Sequence, residues 1–175
     1  GAPAAVWLNG DGSYTVFRKP SSTWVSPPGE TTRMVQLGSP QNGATYVLYL
    51  DNGASLGFRS DGWQVWTNDL IGNATRYKYP TTTSNQLDSI VDPAGKAIYF
   101  TYFGTGKRSG YVKSIQVRTS AAPADTVLVT TLAYDPVSNV NAVRLAQIRM
   151  VRIAPHADST RFPYRPGAPG ASITS

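Results

Sequence analysis

Residues 85–102 read NQLDSIVDPAGKAIYFTY, and a shorter relative, NDLIGNATRYKY, occupies residues 68–79. In the longer stretch, Asp92-Pro93-Ala94-Gly95 has the chemistry of a tight turn. Asp stands at the first position, Pro sets φ at the second and Gly closes the fourth. Strand side chains alternate, so Ile98, Phe100 and Tyr102 then share one face and Ala97, Tyr99 and Thr101 the other. Moved back by 23 positions, the same pattern recurs. Asp69 lies over Asp92 and Gly72 over Gly95; Thr75, Tyr77 and Tyr79 take the first face, and Ala74, Arg76 and Lys78 the second. Two copies of one hairpin unit predict an array.

A second marker accompanies each copy: two large apolar residues three apart, at Trp63/Trp66, Leu87/Ile90, Val112/Ile115 and Leu145/Ile148. The third copy carries an insert, TSAAPAD, where the tight turn would stand. It returns along residues 127–134, with Leu128, Thr130, Leu132 and Tyr134 on one face. Insertion at a turn is where an array tolerates it. The fourth copy, AVRLAQIRMVR at residues 142–152, consists of good helix formers, yet the repeat context predicts a strand.

Upstream, residues 12–17, 24–25, 31–37, 45–49 and 54–59 read as strands, separated by Asn9-Gly10-Asp11-Gly12, Pro27-Pro28-Gly29, Gln41-Asn42-Gly43 and Asp51-Asn52-Gly53. The expected class is all-β, an antiparallel β-hairpin repeat array. The expected organisation is an N-terminal segment (1–8), a lead-in set of strands (9–62), the repeats (63–153) and a Pro/Gly-rich tail or linker (154–175).

Hydrophobic residues make up 41% of the 175 and charged ones 15%, enough to bury a core and unlike a disordered chain. Without cysteine there is no disulfide, thiolate nucleophile or Cys-based zinc site. No apolar run is long enough for a membrane-spanning helix. The N-terminus, GAPAAVWLNGDG, has no signal-peptide pattern and suggests an internal or processed boundary of something longer. The net charge of +6 is uneven: residues 1–95 carry six Lys/Arg against seven Asp/Glu, residues 96–175 ten against three. With no basic block, this reads first as a solvated face.

The unit Leu87-x-x-Ile90-x-Asp92-Pro93-x-Gly95-x-x-x-x-Phe100-x-Tyr102 resembles the YD repeat of RHS proteins, and Tyr134-Asp135 matches the dipeptide that names it. GDGSYTVF (10–17), residues 24–29 and YVLYLDNGASLGFRSDG (46–62) resemble the approach to such an array. The resemblance covers roughly residues 9–152. It implies a strip of a shell-like or open spiral sheet, as in bacterial RHS shells, toxin complexes and teneurins, secreted or at the cell surface, most often bacterial. About four repeats are too few to close a shell. Nothing here matches the family's self-cleaving segment, so neither toxin activity nor self-processing is carried over.

The remaining chemistry is sparse. His156, the only histidine, sits in the Pro-rich tail, where a Ser/His/Asp geometry would have to be built on a loose segment. Asp51, Asp61, Asp69 and Asp92 each stand in a turn beside Gly or Pro, where Asp is expected anyway, and no calcium-loop spacing occurs. Strands could bring Asp88 and Asp92 together as paired carboxylates, while Glu30, the only glutamate, reads as decoration of Pro-Pro-Gly; Gly104-Thr105-Gly106-Lys107 lacks a following helix. Asn73-Ala74-Thr75 matches a glycosylation acceptor, relevant only in a eukaryotic secretory route. No enzyme activity, cofactor or metal is expected.

The rival expectation is a carbohydrate-binding module. Trp63, Trp66, Tyr77, Tyr79, Tyr99, Tyr102 and Tyr111 could offer a stacking platform beside Arg76, Lys78 and Lys107, with Tyr99, Arg76 and Lys78 as the ligand contacts. Their period-2 placement reads first as cross-strand packing. Nucleic acid is not an expected partner. A third expectation is a self-associating fibre subunit. Partners would be the rest of a longer RHS-type polypeptide, or other copies, meeting open strand edges.

Overall fold

The computed structural model describes residues 2–120, 122–136 and 143–153. The protein is all-β: β1 (Ala4–Leu8), β2 (Tyr14–Arg18), β3 (Arg33–Gln41), β4 (Ala44–Tyr49), β5 (Ser55–Phe58), β6 (Gln64–Asn68), β7 (Ala74–Lys78), β8 (Ser89–Val91), β9 (Ala97–Tyr102), β10 (Val112–Arg118), β11 (Thr126–Pro136) and β12 (Val143–Arg152). Among the described residues only single turns of 3-10 helix, Gly106–Arg108 and Pro123–Asp125, interrupt them. The chain divides after Tyr77 into two compact units.

In the first unit β1 and β2 form an antiparallel ribbon, from Ala4 opposite Arg18 to Leu8 opposite Tyr14. Strands β3 to β7 form an antiparallel meander, each paired with the next in sequence. In the second unit β8 to β12 do the same. Residues 4–8, set apart from the sequence as an N-terminal segment, are a strand because Ala5 and Trp7 alternate with exposed neighbours against β2. Residues 24–25 are less than expected: Val25 makes one bridge, to Arg18. The fourth repeat is a strand. Ten residues of helix-forming sequence pair along β11 instead, tertiary pairing overriding propensity. Residues 137–142, the tail 154–175 and His156 lie outside the described residues.

The repeat is visible as a turn. At residues 69–73 and 92–96 the first residue's N–H donates to the fifth residue's carbonyl (3.1 and 2.9 Å), and the glycine N–H returns to the first carbonyl (3.1 Å in both). The same five-residue turn recurs at 9–13, 50–54 and 59–63. Every one closes on a glycine in the left-handed region, with φ of 87°, 82°, 91°, 88° and 85° at Gly12, Gly53, Gly62, Gly72 and Gly95. The free N–H of the fifth residue is capped in two ways. Asp69 and Asp92 cap it from the first position, on Asn73 and Lys96 at 2.8 Å each. Asp11, Asn52 and Asp61 cap it from the third, on Ser13 (2.9 Å), Ala54 (3.0 Å) and Trp63 (3.5 Å). Asn42-Gly43 makes the expected two-residue turn, both with positive φ.

Three of the four apolar pairs three apart mark β-bulges; at the fourth, Leu87 precedes β8 and Ile90 pairs with Ile98 in unbroken register. In β6, Gly57 faces Trp66 and Phe58 faces Gln64, leaving Val65 as an extra residue. In β10 the extra residue is Lys113, and in β12 it is Ala146. One inserted residue returns positions three apart to the same face, so Trp63/Trp66, Val112/Ile115 and Leu145/Ile148 each point one way.

Enclosed apolar side chains are few. Among the described residues they are Phe17, Ala44, Val47, Leu48 and Trp66 in the first unit and Ala97 in the second. Trp66, Val47 and Ala44 form one cluster, flanked by Leu37 and Val65. Gly57 opposes Trp66 across the ladder, and a Cβ built on Gly57 would fall inside the indole. Gly57→Ala should therefore cost about 1–3 kcal/mol in urea unfolding. Gly38→Ala in β3, where a Cβ meets nothing within 4 Å, should stay within about 0.5 kcal/mol. Gly95→Val, forced into positive φ, should lose about 1–2 kcal/mol, and Gly95→Asn less.

Candidate functional site

The expected ligand contacts, Tyr99, Arg76 and Lys78, fall on different units. Arg76 is in the first, exposed on β7 opposite Trp66; Lys78, also exposed, and Tyr99 belong to the second. Tyr99 lies in the middle of β9, with Ser89 opposite on β8 and Gln116 opposite on β10. Two strand positions along β10, the Arg118 guanidinium sits 3.9 Å from the centre of the Tyr99 ring. Its Nη2 donates to Gln116 Oε1 at 2.8 Å. Such a stack is worth about 0.5–2 kcal/mol.

Around Tyr99 the same face carries small buried residues, Ser89, Ala97 and Ser114, the last joined to Thr101 by a 2.7 Å hydroxyl–hydroxyl bond. The face expected to present Tyr99 to a ligand is here a packed layer under an arginine. A flat ligand stacking on Tyr99 would have to displace Arg118.

The other repeat aromatics are also committed. Tyr102, its phenol pushed up by burial, donates to the Leu87 carbonyl at 2.7 Å and ties β9 to the segment before β8. Tyr77 Oη lies 3.4 Å from Thr67 Oγ1. Tyr134 is tilted against Tyr111 (5.2 Å) and edge-on to Phe103 (6.1 Å), while Asp135 faces Arg144 at 3.9 Å with both exposed. Ile90 pairs with Ile98, and Phe100 with Ile115, on the opposite face of the same strands. These repeat residues build the fold.

The acidic groups are occupied likewise. Hydrogen bonds from Arg59 hold the Asp61 carboxyl below its ordinary range, Nε and Nη2 donating at 2.9 and 2.6 Å. Asp69 is held low by Asn73, Asp11 by Ser13, and Glu30 by the backbone N–H of Thr32 at 3.0 Å, with Thr15 adding a weaker bond. Among the described residues no three His, Cys, Asp or Glu side chains cluster as metal ligands.

The concave features lie in the first unit. One cleft of about 740 Å³ runs along β2 beside residues 25–30. A second, about 480 Å³, separates β1 from the Met34, Tyr46, Leu48 and Phe58 face of the meander. Trp7 and Trp24 also line it, and Trp24 meets Tyr46 edge-on at 6.2 Å. The Trp24 indole nitrogen is buried without a hydrogen-bond partner. Sequence reasoning missed this cleft. Its available signal was the alternation of Ala5 and Trp7 in a segment not read as a strand.

The depressed carboxylates fix the sign of a pH effect. Their folded pKa values lie below the unfolded ones, so the stability they add is complete above about pH 4 and is lost as pH falls through the folded values. Urea midpoints should be flat toward neutrality and fall on acidification below that point. Asp61→Asn and Asp69→Asn should each make the acid limb shallower; an unchanged limb in both would remove the turn carboxylates as its cause.

No protein-family model matches this chain, and no curated protein matches it.

Proposed function

We propose that the chain is a non-enzymatic structural module, a strip of shell or scaffold in a secreted or cell-surface RHS-type protein. The observation that carries this is the recurrence of one glycine-closed turn at five places, joining β1 to β2, β4 to β5, β5 to β6, β6 to β7 and β8 to β9. An array built this way presents surface and encloses volume, while its characteristic residues are used for turning and packing. Arg118 over Tyr99 and the paired turn carboxylates support the same reading, because the groups that would do chemistry already have partners. The test is limited proteolysis of the longer polypeptide that carries the strip. Segments enclosed by an intact strip should resist protease and become susceptible when Gly57→Val displaces Trp66. Equal cleavage with and without that substitution would overturn enclosure.

A carbohydrate-binding reading has one observation in its favour, the cleft with Trp7, Tyr46 and the unpartnered Trp24 N–H. Aromatic faces stack on sugar rings, and the indole donor would meet a hydroxyl. On this reading a saccharide panel should quench tryptophan fluorescence saturably. Trp24→Ala should abolish the binding, and Tyr99→Ala should leave it intact. No saturable binding to any saccharide would end it.

A further inference from the structure

Strand β12 pairs with β11 alone among the described residues, so its other edge presents backbone donors and acceptors along ten residues. Over residues 144–150 its side chains sort by chemistry, while beyond them Val151, opposite Val129, falls on the arginine face and Arg152, opposite Leu128, on the apolar one. The pairing puts Leu145 opposite Tyr134, Ile148 opposite Leu132 and Met150 opposite Thr130, all on one face. Arg144, Gln147 and Arg149 take the other, opposite Asp135, Ala133 and Thr131. The bulge at Ala146 keeps Leu145 in line with Ile148. Leu145, Ile148 and Met150 are all exposed, Met150 at 61%.

The charge on this edge is one-sided. β12 has Arg144, Arg149 and Arg152 and no acidic residue. The single ion pair, Arg144 with Asp135, is long and exposed. Neither Arg149 nor Arg152 has a salt-bridge partner among the described residues.

We propose that β12 is a docking edge for an extended acidic segment of a second polypeptide, with acidic and apolar residues alternating. It would add as a further strand by backbone hydrogen bonds, its apolar residues beside Leu145, Ile148 and Met150 and its carboxylates beside Arg144 and Arg149. Charge decides against two other occupants, a second copy and residues 154–175. A second copy pairing β12 to β12 would bring three arginines from each chain together with no acid on either strand. Residues 154–175 offer one acid, Asp158, against Arg161 and Arg165. The inference deepens the scaffold reading, since it rests on the open edge of the strip and names the chemistry that closes it.

The test uses the full chain and a labelled, end-capped ten-residue peptide of alternating Glu and Val, followed by fluorescence anisotropy. Binding should saturate and weaken as ionic strength rises. A Lys-Val peptide, and a Glu-Val peptide N-methylated along its bonding edge, should not bind. The double variant Arg144→Glu/Arg149→Glu should lose the acidic peptide roughly tenfold and gain the Lys-Val one. That swap separates recognition from simple loss of folding. Equal binding of both signs, binding of neither, or sedimentation showing a dimer of the chain that the acidic peptide dissociates would overturn the proposal. The outcome is independent of the proteolysis result: enclosure can fail while the edge binds, and the edge can stay empty while enclosure holds.

Discussion

In both units each strand of a meander pairs with the strand next to it in sequence, so the sheet exists only if the chain reverses in register every few residues. At four of these reversals, and in the β1–β2 ribbon, the constraint that makes this possible is a glycine held at φ between 82° and 91° at the fourth place of the turn. Any other L-residue there meets its own carbonyl, and a slipped turn would move every following side chain to the wrong face. The carboxyl or amide cap reaches the same fifth N–H from two different positions. The fold therefore requires the cap's oxygen, while the position that supplies it is free to vary.

Apart from the β1–β2 ribbon and Trp24, which face part of the first meander, no described element lies over these strands, and much of the burial comes from within the layer. The first unit solves this with size. Trp66 lies over Gly57, and Phe17 and Leu48 are almost wholly enclosed, each worth about 1.5–3 kcal/mol. The second unit solves it with small residues: Ser89, Ala97 and Ser114 are buried beneath longer neighbours, Arg118 lying across Tyr99 among them. An arginine used in this way contributes through the contact of its stem and plane as much as through its charge. The aromatic side chains that suggested a ligand platform are the material of this self-covering.

Much of this was legible in residues 68–102, because a turn with Asp and Gly at fixed offsets has a local cause that tertiary contacts do not override. The spacing of three at Trp63/Trp66, Val112/Ile115 and Leu145/Ile148 was visible too, although it fits neither the strand period nor the helix period. Its meaning emerges only with the partner strand in place, since a bulge is a mismatch between two strands. The same holds for the candidate site. Tyr99 was placed on the right face, but the cover over it comes from Arg118 on the following strand. The cleft beside Trp7 and Trp24 lay further out of reach, because it needs the β1–β2 ribbon to be positioned against β3 to β5.

The charge asymmetry of the chain acquires a location in the same way. A plain excess of Lys/Arg in residues 96–175 reads as a solvated surface. Three of those arginines stand on β12, a strand bonded on one side only. There charge does two jobs. It keeps two identical edges from zipping together, the hazard carried by any long apolar edge strand, and it leaves backbone bonding available to a strand of opposite sign. On the proposed reading, an edge of this kind is protected against pairing with its own copy and open to a strand of opposite charge.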